Sequence, residues 1–528
     1  MNHTPGCVAI ISNRLRSRAA DVAAVTGLAV SSGNTENAPL AAVITTLGDP
    51  LEGEAETLAN ARNLKLLRLA PHPLALAALD AARRPLGYRL VGAAAAEPPA
   101  VDGEVDRSAL VAAMSELLAL AGPGELRLAA GFDPADPELV WLCPYDRTRI
   151  TPSRGLEIAA DVLRHRARTA RRSFGVGITR WKRPTVAGFL AGPNGAPVFA
   201  GSAAEAARGA AQAHGRVVAW ASRRTDAAEA AARAAGAPFA RLEDGFLRSV
   251  GLGSAFVAAL SLVLDESGVY YDPSAPSDLE TLLREADIPA AMIARAARLR
   301  ARLVAEEVTK YNVGVASPRV VPAGRFGVLV PGQVEDDASI VKGAGAVRTN
   351  LGLLKAARAR RPDAFLIYKP HPDVVAGYRV GAVADGDLAG LADAVVTDGS
   401  IAALYPQCRA VETMTSLSGF EALLRGLEVT THGQPFYAGW GLTEDLAPHP
   451  RRGRARSLDE LVAATLILYP LYRDPGAGLP CGPERALDVI ARRRAVASTP
   501  AGRRAAKLRH LYAMTRHVVL GPIGRLLR

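Results

Sequence analysis

The sequence predicts an α/β protein made of two Rossmann-like halves and an N-terminal α/β region. Three observations carry this. Short apolar runs alternate with helix-length runs twice over, at about 173–320 and again at 321–490. That alternation marks parallel sheets with crossover helices. The conspicuous polar residues fall just after the apolar runs, where open α/β sheets hold their ligands. Finally, 528 residues that are 49% hydrophobic and 22% charged suffice for several packed cores and do not describe a disordered chain.

Residues 1–172 are Ala/Leu-rich, with the apolar bursts CVAIIS, PLAAVITTL, RLVGAAAA and ELVWLC between polar stretches. They suit an α/β unit and contain no motif; RHRARTARR (165–172) reads as a helix end or linker. The first half, 173–320, offers strands at FGVGITRW (174–181), APVFAG (196–201), RVVAWAS (216–222) and FARLEDG (239–245). After a junction near 310–325, the second half (321–490) repeats the pattern. Its strands are GVLVPGQ (327–333), AFLIYKPHP (364–372), AVVTD (394–398), AVETMTS (410–416) and EVTTHG (428–433). Helices are expected near 348–360, over SGFEALLRG (418–426), and over SLDELVAATLILY (457–469), where Ser457 caps and acids fill the first turn. Two such halves, with strand ends facing each other across a cleft, describe the two-lobed architecture found in nucleotide-sugar glycosyltransferases.

The formal charge of +11 is unevenly placed. Ten Lys/Arg and no acid lie from Arg492 onward, so the rest of the chain is nearly neutral. A nucleic-acid binder would spread its excess over the folded body. In the tail, 491–528, Leu508, Leu511, Tyr512, Val518 and Val519 recur at roughly helical spacing among bases. That suggests a basic amphipathic helix on an anionic membrane; a solvated tail or a helix covering the second half is the alternative. Cys7, Cys143, Cys408 and Cys481 form no CxxC pair, which fits reduced thiols in a cytosol. No signal peptide and no membrane span are expected.

Five strings carry candidate chemistry, and each has a plainer reading. LEDGFLRSVGLGS (242–254) sets Glu243, Asp244 and Arg248 beside glycines, either for an anionic sugar or as a surface salt bridge. VLVPGQVEDDASI (328–340) places Gln333, Glu335, Asp336 and Asp337 at a strand-to-helix turn. A carboxylate there can be a nucleophile or base, or merely favour a helix N-terminus. In YKPHP (368–372), prolines fix a loop in which Lys369 and His371 must supply the donors, as a nucleotide phosphate requires; an exposed turn is the alternative. TSLSGFEALLRG (415–426) puts Thr415, Ser416 and Ser418 at a helix start, an anion site or an ordinary cap, with Glu421 placed for ribose hydroxyls. THGQPFYAGWGLTED (431–445) joins Gln434, Tyr437 and Trp440 to glycines, as a sugar surface or as core aromatics. P-loop, G-x-S-x-G, H-E-x-x-H and G-x-G-x-x-G patterns are absent.

In this order, together with TRWKR (179–183) and SLVLDESGVYYD (261–272), these strings resemble the KpsC/LipB-type capsule polysaccharide β-Kdo glycosyltransferases, over about 174–480. The resemblance implies a GT-B-like fold, CMP-β-Kdo as donor with no cofactor, and a lyso-phosphatidylglycerol-based Kdo acceptor. It also implies retention by double displacement, hence an enzymic nucleophile. The family's Q-x-x-x-D motif falls on Gln333–Asp337, which makes Asp337 the nucleophile. Glu243 becomes the acid/base with Asp244 close by. His371 and Lys369 go to the CMP phosphate, and Thr415, Ser416, Ser418 and Glu421 complete the CMP site. Arg248 is our candidate for the Kdo carboxylate, with Gln333, Gln434, Tyr437 and Trp440 on the sugar or acceptor. A single phosphate makes a metal clamp less needed. The expected partners are CMP-Kdo, the lipid-linked acceptor, the anionic inner-membrane face and other capsule-assembly proteins, with no nucleic acid; the expected location is cytoplasmic and peripheral. Family members carry two modules making alternating β-(2→4) and β-(2→7) linkages, whereas one motif set is present here, more similar to the C-terminal, (2→7)-forming module. Residues 1–172 are then a degenerate first module or an unrelated domain. A transferase of another nucleotide sugar and a non-catalytic capsule-assembly protein remain as alternatives.

Overall fold

The structure is a computed structural model and describes residues 7–10, 18–26, 29–30, 40–46, 52–61, 65–91, 107–223, 225–248, 257–309, 319–497 and 499. It forms two compact units, Met1–Arg168 with Asp474–Cys481, and Thr169–Arg473 with Gly482–Arg528. Among the described residues no helix is long and apolar enough to cross a membrane.

The smaller unit is α/β, as the apolar bursts suggest. Its sheet runs Ala29–Val30, Cys7–Ile10, Leu40–Thr46, Lys65–Pro71, Gly87–Val91, Leu139–Trp141. The first four strands are parallel and the last two antiparallel. RHRARTARR is indeed a helix end: the helix Pro152–Arg168 stops within it, and Arg166 there pairs with Glu125 at 2.5 Å.

The larger unit holds both predicted halves. In space its second sheet runs Ala394–Val395, Phe365–Lys369, Gly327–Pro331, Ala410–Thr413, Glu428–Thr431, Glu444–Asp445. Every neighbouring pair is parallel. In chain order this is third, second, first, fourth, fifth, sixth, the dinucleotide-fold arrangement, and its direction reverses between Gly327–Pro331 and Ala410–Thr413. Both strands are wholly buried; Gly327–Pro331 accordingly reads as an apolar run, whereas Ala410–Thr413 also buries Glu412 and Thr413. Val328, Val330, Leu353, Leu354 and Leu366 pack the core on one side.

The first sheet runs Val198–Phe199, Ser173–Val176, Arg216–Trp220, Phe239–Asp244, Ser261–Asp265, Pro470–Arg473. Its first four strands are parallel and the last two antiparallel. The predicted strand FGVGITRW is shorter than expected. It ends at Val176 because Gly177 turns the chain at φ 68°, and a helix with proline in its first turn begins at Arg183.

Two boundaries need correction. The segment 321–490 does not stay in the second half, since Pro470–Arg473 returns to the first sheet beside Ser261–Asp265. The return follows the capping box at Ser457 and Glu460, a π-helical stretch Ala463–Leu468, and Tyr469, whose hydroxyl donates to buried Asp265 at 2.7 Å. The basic tail does not begin at 491 either, because the helix Pro483–Ala497 runs through that point. Arg295 holds Glu484 of this helix through two bonds of 2.8 Å. Arg494 donates to the carbonyls of Glu306 (2.6 Å) and Glu307 (2.8 Å), just past the helix Ala290–Ala305, where a cation favours the dipole. Leu508, Leu511, Tyr512, Val518 and Val519 lie outside the described residues.

The two halves of this unit are clasped at Glu280. Its carboxylate takes Arg451 at 2.6 Å and Arg452 at 3.1 Å. Burial pushes the Glu280 pKa up, but the hydrogen bond from Arg451 and the charge of Arg452 outweigh it and hold the group below its ordinary value.

Candidate active site

A cavity of about 390 Å³ opens where the strand ends of the two sheets face one another, a size usual for small-molecule sites. One wall comes from the first sheet: Ser222, Glu243, Asp244, Tyr270 and Tyr271. The other comes from three strand ends of the second sheet, through Gln333 and Asp337, Lys369 and His371, and Thr415 to Ser418. The site therefore lies at the reversal point of the second sheet.

Gln333 staples that point. Its amide nitrogen donates to the Thr415 hydroxyl at 3.1 Å, and its amide oxygen accepts from the Thr415 N–H at 3.0 Å. Its own backbone is held on both sides by the Asn350 amide at 2.8 Å. The side chain thus braces Thr415 while it lines the cavity.

Of the three consecutive acids only Asp337 lines the cavity. Glu335 turns back to accept from the Asn350 N–H at 2.8 Å, and Asp336 pairs with Arg379 at 2.8 Å. Asp337 caps the helix Ala338–Gly343, accepting at Oδ2 from the Ser339 N–H (3.2 Å) and hydroxyl (2.8 Å). The helix-capping reading holds, and the same carboxylate borders the cavity. Its Oδ1 has no partner among the described residues.

Glu243 stands at the end of the strand Phe239–Asp244. It accepts from the N–H groups of Ser222 and Asp244, each at 3.1 Å. Burial raises its pKa above the ordinary value, and the charge of Asp244 adds to the rise. Lys182, of the TRWKR string, opposes this with its charge. Its ammonium sits 3.2 Å from the centre of the Trp220 ring.

Arg248 is corrected. It is 2% exposed, does not line the cavity, and is tied to Asp244 at 2.8 Å. It orients that carboxylate and is not placed to receive a sugar. Ser249 to Ser254 of the same string lie outside the described residues.

His371 accepts the Asp373 N–H at Nδ1 (3.1 Å), which leaves Nε2 as the N–H of the neutral ring. Lys369 is buried, donates to the Thr397 carbonyl at 2.7 Å, and has its pKa lowered by burial. Ser416 accepts the Ser418 N–H at 3.1 Å, capping the helix Leu417–Leu423. Glu421 accepts from the Tyr405 hydroxyl at 3.0 Å and still borders the cavity.

Tyr437 and Trp440 are corrected from sugar surface to core. They are 0% and 1% exposed and do not line the cavity. Tyr437 instead braces the loop before the serine helix, donating to the Ser416 carbonyl at 2.6 Å, and Trp440 donates to the Phe436 carbonyl at 2.9 Å. Gln434 also stays out of the cavity, its amide bonded to the Pro448 carbonyl. The aromatic groups that do line it are Phe436, Tyr270 and Tyr271, none of which sequence reasoning singled out. The two tyrosines come after the strand Ser261–Asp265, which runs antiparallel to Phe239–Asp244, so the strand-end rule that applies to Glu243 does not reach them.

Residues 215–472 match the family described as capsule polysaccharide biosynthesis protein. The chain is 40% identical over 339 residues to the capsule polysaccharide modification protein LipA of Neisseria meningitidis, covering 64% of this chain and 48% of that protein. It is 49% identical over 239 residues to the lipopolysaccharide-processing protein LpsZ of Rhizobium meliloti, covering 44% of this chain and 54% of that one. The chain thus spans about half the length of these curated relatives. Two solved structures from Thermosulfurimonas dismutans each cover 61% of this chain. The KpsC β-Kdo 2,7 transferase is 33% identical over 99% of its length, with a TM-score of 0.51. The KpsC β-Kdo 2,4 transferase is 31% identical over 98% of its length, with a TM-score of 0.53.

Proposed function

Because the chain belongs to the KpsC/LipB-type capsule polysaccharide transferases, we propose that its larger unit moves Kdo from CMP-β-Kdo to a lipid-linked Kdo acceptor, with retention at the anomeric carbon. The observation that carries this reading is that two carboxylates, Glu243 and Asp337, reach one cavity from opposite sheets, and they differ. Asp337 keeps one oxygen unbonded among the described residues, as a nucleophile requires, whereas burial raises the pKa of Glu243 above its ordinary value, the direction that favours proton transfer.

In the first step Asp337 Oδ1 attacks the anomeric carbon. The bond from that carbon to the phosphate oxygen breaks, and CMP leaves with the electron pair. His371, Lys369 and the hydroxyls of Thr415, Ser416 and Ser418 hold the departing phosphate, while Glu421 takes ribose hydroxyls. In the second step an acceptor hydroxyl attacks the same carbon, the ester to Asp337 breaks, and the hydroxyl proton goes to Glu243. Two inversions give net retention. The string resemblance favours a β-(2→7) product. The lyso-phosphatidylglycerol-based acceptor and a place at the anionic inner-membrane face follow from the same reading, with the basic residues beyond Arg503 as the means of attachment.

The test is incubation with CMP-Kdo, made in situ, and a synthetic mono-Kdo acceptor, followed by mass spectrometry and NMR of the product. Addition of β-Kdo is expected. Turnover of a UDP-sugar with CMP-Kdo untouched would support the transferase of another nucleotide sugar instead.

A further inference from the structure

The hydroxyl of Tyr271 is buried in the wall of the cavity and has no hydrogen-bond partner among the described residues. A buried donor left unpaired is costly, and native proteins rarely keep one without a use. The side chain is also held in place. Its ring packs edge-on against Tyr270, with centroids 5.3 Å apart at 84°, and Tyr270 in turn meets Phe436 at 5.8 Å. Its neighbour Asp272 pairs at 2.9 Å with Lys342, on the helix that Asp337 caps. At the end of that helix a Cβ on Gly343 would stand 3.3 Å from the Tyr271 carbonyl oxygen. Tyr271 is thus pinned against the element that carries Asp337.

We infer that Tyr271 is a further catalytic residue, whose unpaired hydroxyl donates a hydrogen bond to the carboxylate that the transferred sugar bears on its reacting carbon. This rests on the reading of Kdo as the sugar. A 2-keto acid sugar brings a carboxylate to the carbon that Asp337 must attack, so like charges converge there beside Glu243. Arg248, the cation expected for this task, does not line the cavity and is tied to Asp244, which does. A neutral donor relieves the repulsion without neutralising the nucleophile. Burial, together with the charges of Glu243, Asp337 and Asp272, raises the Tyr271 pKa well above that of an ordinary phenol. The group therefore keeps its proton and acts as a donor, not as a nucleophile.

The experiment compares wild type and Tyr271→Phe in steady-state turnover of CMP-Kdo at saturating acceptor, with inhibition by CMP and thermal unfolding measured alongside. The expected loss in kcat is about 100-fold, typical of removing one donor to developing charge. Inhibition by CMP, which lacks the sugar, stays within about twofold. The unfolding temperature does not fall, since the change removes a hydroxyl that bonds nothing. Wild-type kcat in the variant, with the wild type active, overturns the assignment alone. Parallel loss of CMP affinity and thermal stability overturns it in favour of a packing role. A wild type that turns over no CMP-Kdo overturns the Kdo reading and this assignment with it.

Discussion

Glu243 and Asp337 face the same cavity from different surroundings, and the proposed mechanism gives them different work. Glu243 is desolvated, so its carboxylate form is disfavoured and its pKa lies above the ordinary 4.5. In its proposed role as base of the second step it must be ionised. Transfer is therefore expected to fall as pH drops through that raised pKa, giving an acid limb above pH 4.5 in the rate profile. Glu243→Gln should lower kcat by a factor of about 100 or more and erase that limb, which a pH–rate series on both proteins would show. A limb unchanged in the variant would assign the proton transfer elsewhere. At this scale the sequence was legible where residue type and strand end coincided: Glu243, Asp337, Lys369, His371 and Ser416 all border the cavity. It was not legible for Tyr437 and Trp440. An aromatic beside glycines reads alike on a surface and in a core, and only the packing of Tyr437 behind Gly419 distinguishes them.

The elements that carry these residues are set by close packing as much as by strand order. A Cβ on Gly419 would lie 2.2 Å from the Tyr437 hydroxyl, which holds the Ser416 carbonyl from behind. Gly419→Ala should thus push the serine helix toward the cavity. The expected cost is about 1–3 kcal/mol, with weaker CMP binding by calorimetry; unaltered CMP affinity would remove this helix from the nucleotide site. Gln333→Leu leaves the Thr415 N–H without its acceptor. It should cost about 1–3 kcal/mol in unfolding free energy. The strands Gly327–Pro331 and Phe365–Lys369 were well legible because they lie almost wholly buried and read as largely apolar runs. The return strand Pro470–Arg473 was not. Its pairing with Ser261–Asp265 spans some two hundred residues of chain, and no local pattern announces such a partner.

Across the larger unit, the Glu280 clasp makes assembly of the two halves pH-dependent. Its folded pKa is depressed, so its stabilisation is present above the unfolded value near 4.5 and is lost as pH falls through the folded pKa. Thermal unfolding of the wild type should drop below about pH 4.5, with a smaller drop in Glu280→Gln. Glu280→Ala strands Arg452, whose side chain is 6% exposed. About 3 kcal/mol should be lost, at the low end for a broken buried pair because Arg451 is one-third exposed. The charge of +11 belongs to this scale too. Deleting residues 503–528 should abolish binding to anionic vesicles at low salt while leaving turnover of a soluble Kdo acceptor within about twofold. Loss of soluble turnover would make the segment part of the enzyme and not a tether. Charge clustering was readable from the sequence, but the helix Pro483–Ala497 was not, because its arginines resemble a tail until their carbonyl partners at Glu306 and Glu307 are seen.

The central claim is that Asp337 forms a covalent bond to the transferred sugar. Intact-mass spectrometry and peptide mapping of the Glu243→Gln variant after incubation with CMP-Kdo test it most directly. Without its base the second step stalls, and one Kdo residue should accumulate on the peptide containing Asp337 as CMP is released. CMP release with no adduct, or an adduct on another residue, would contradict the account.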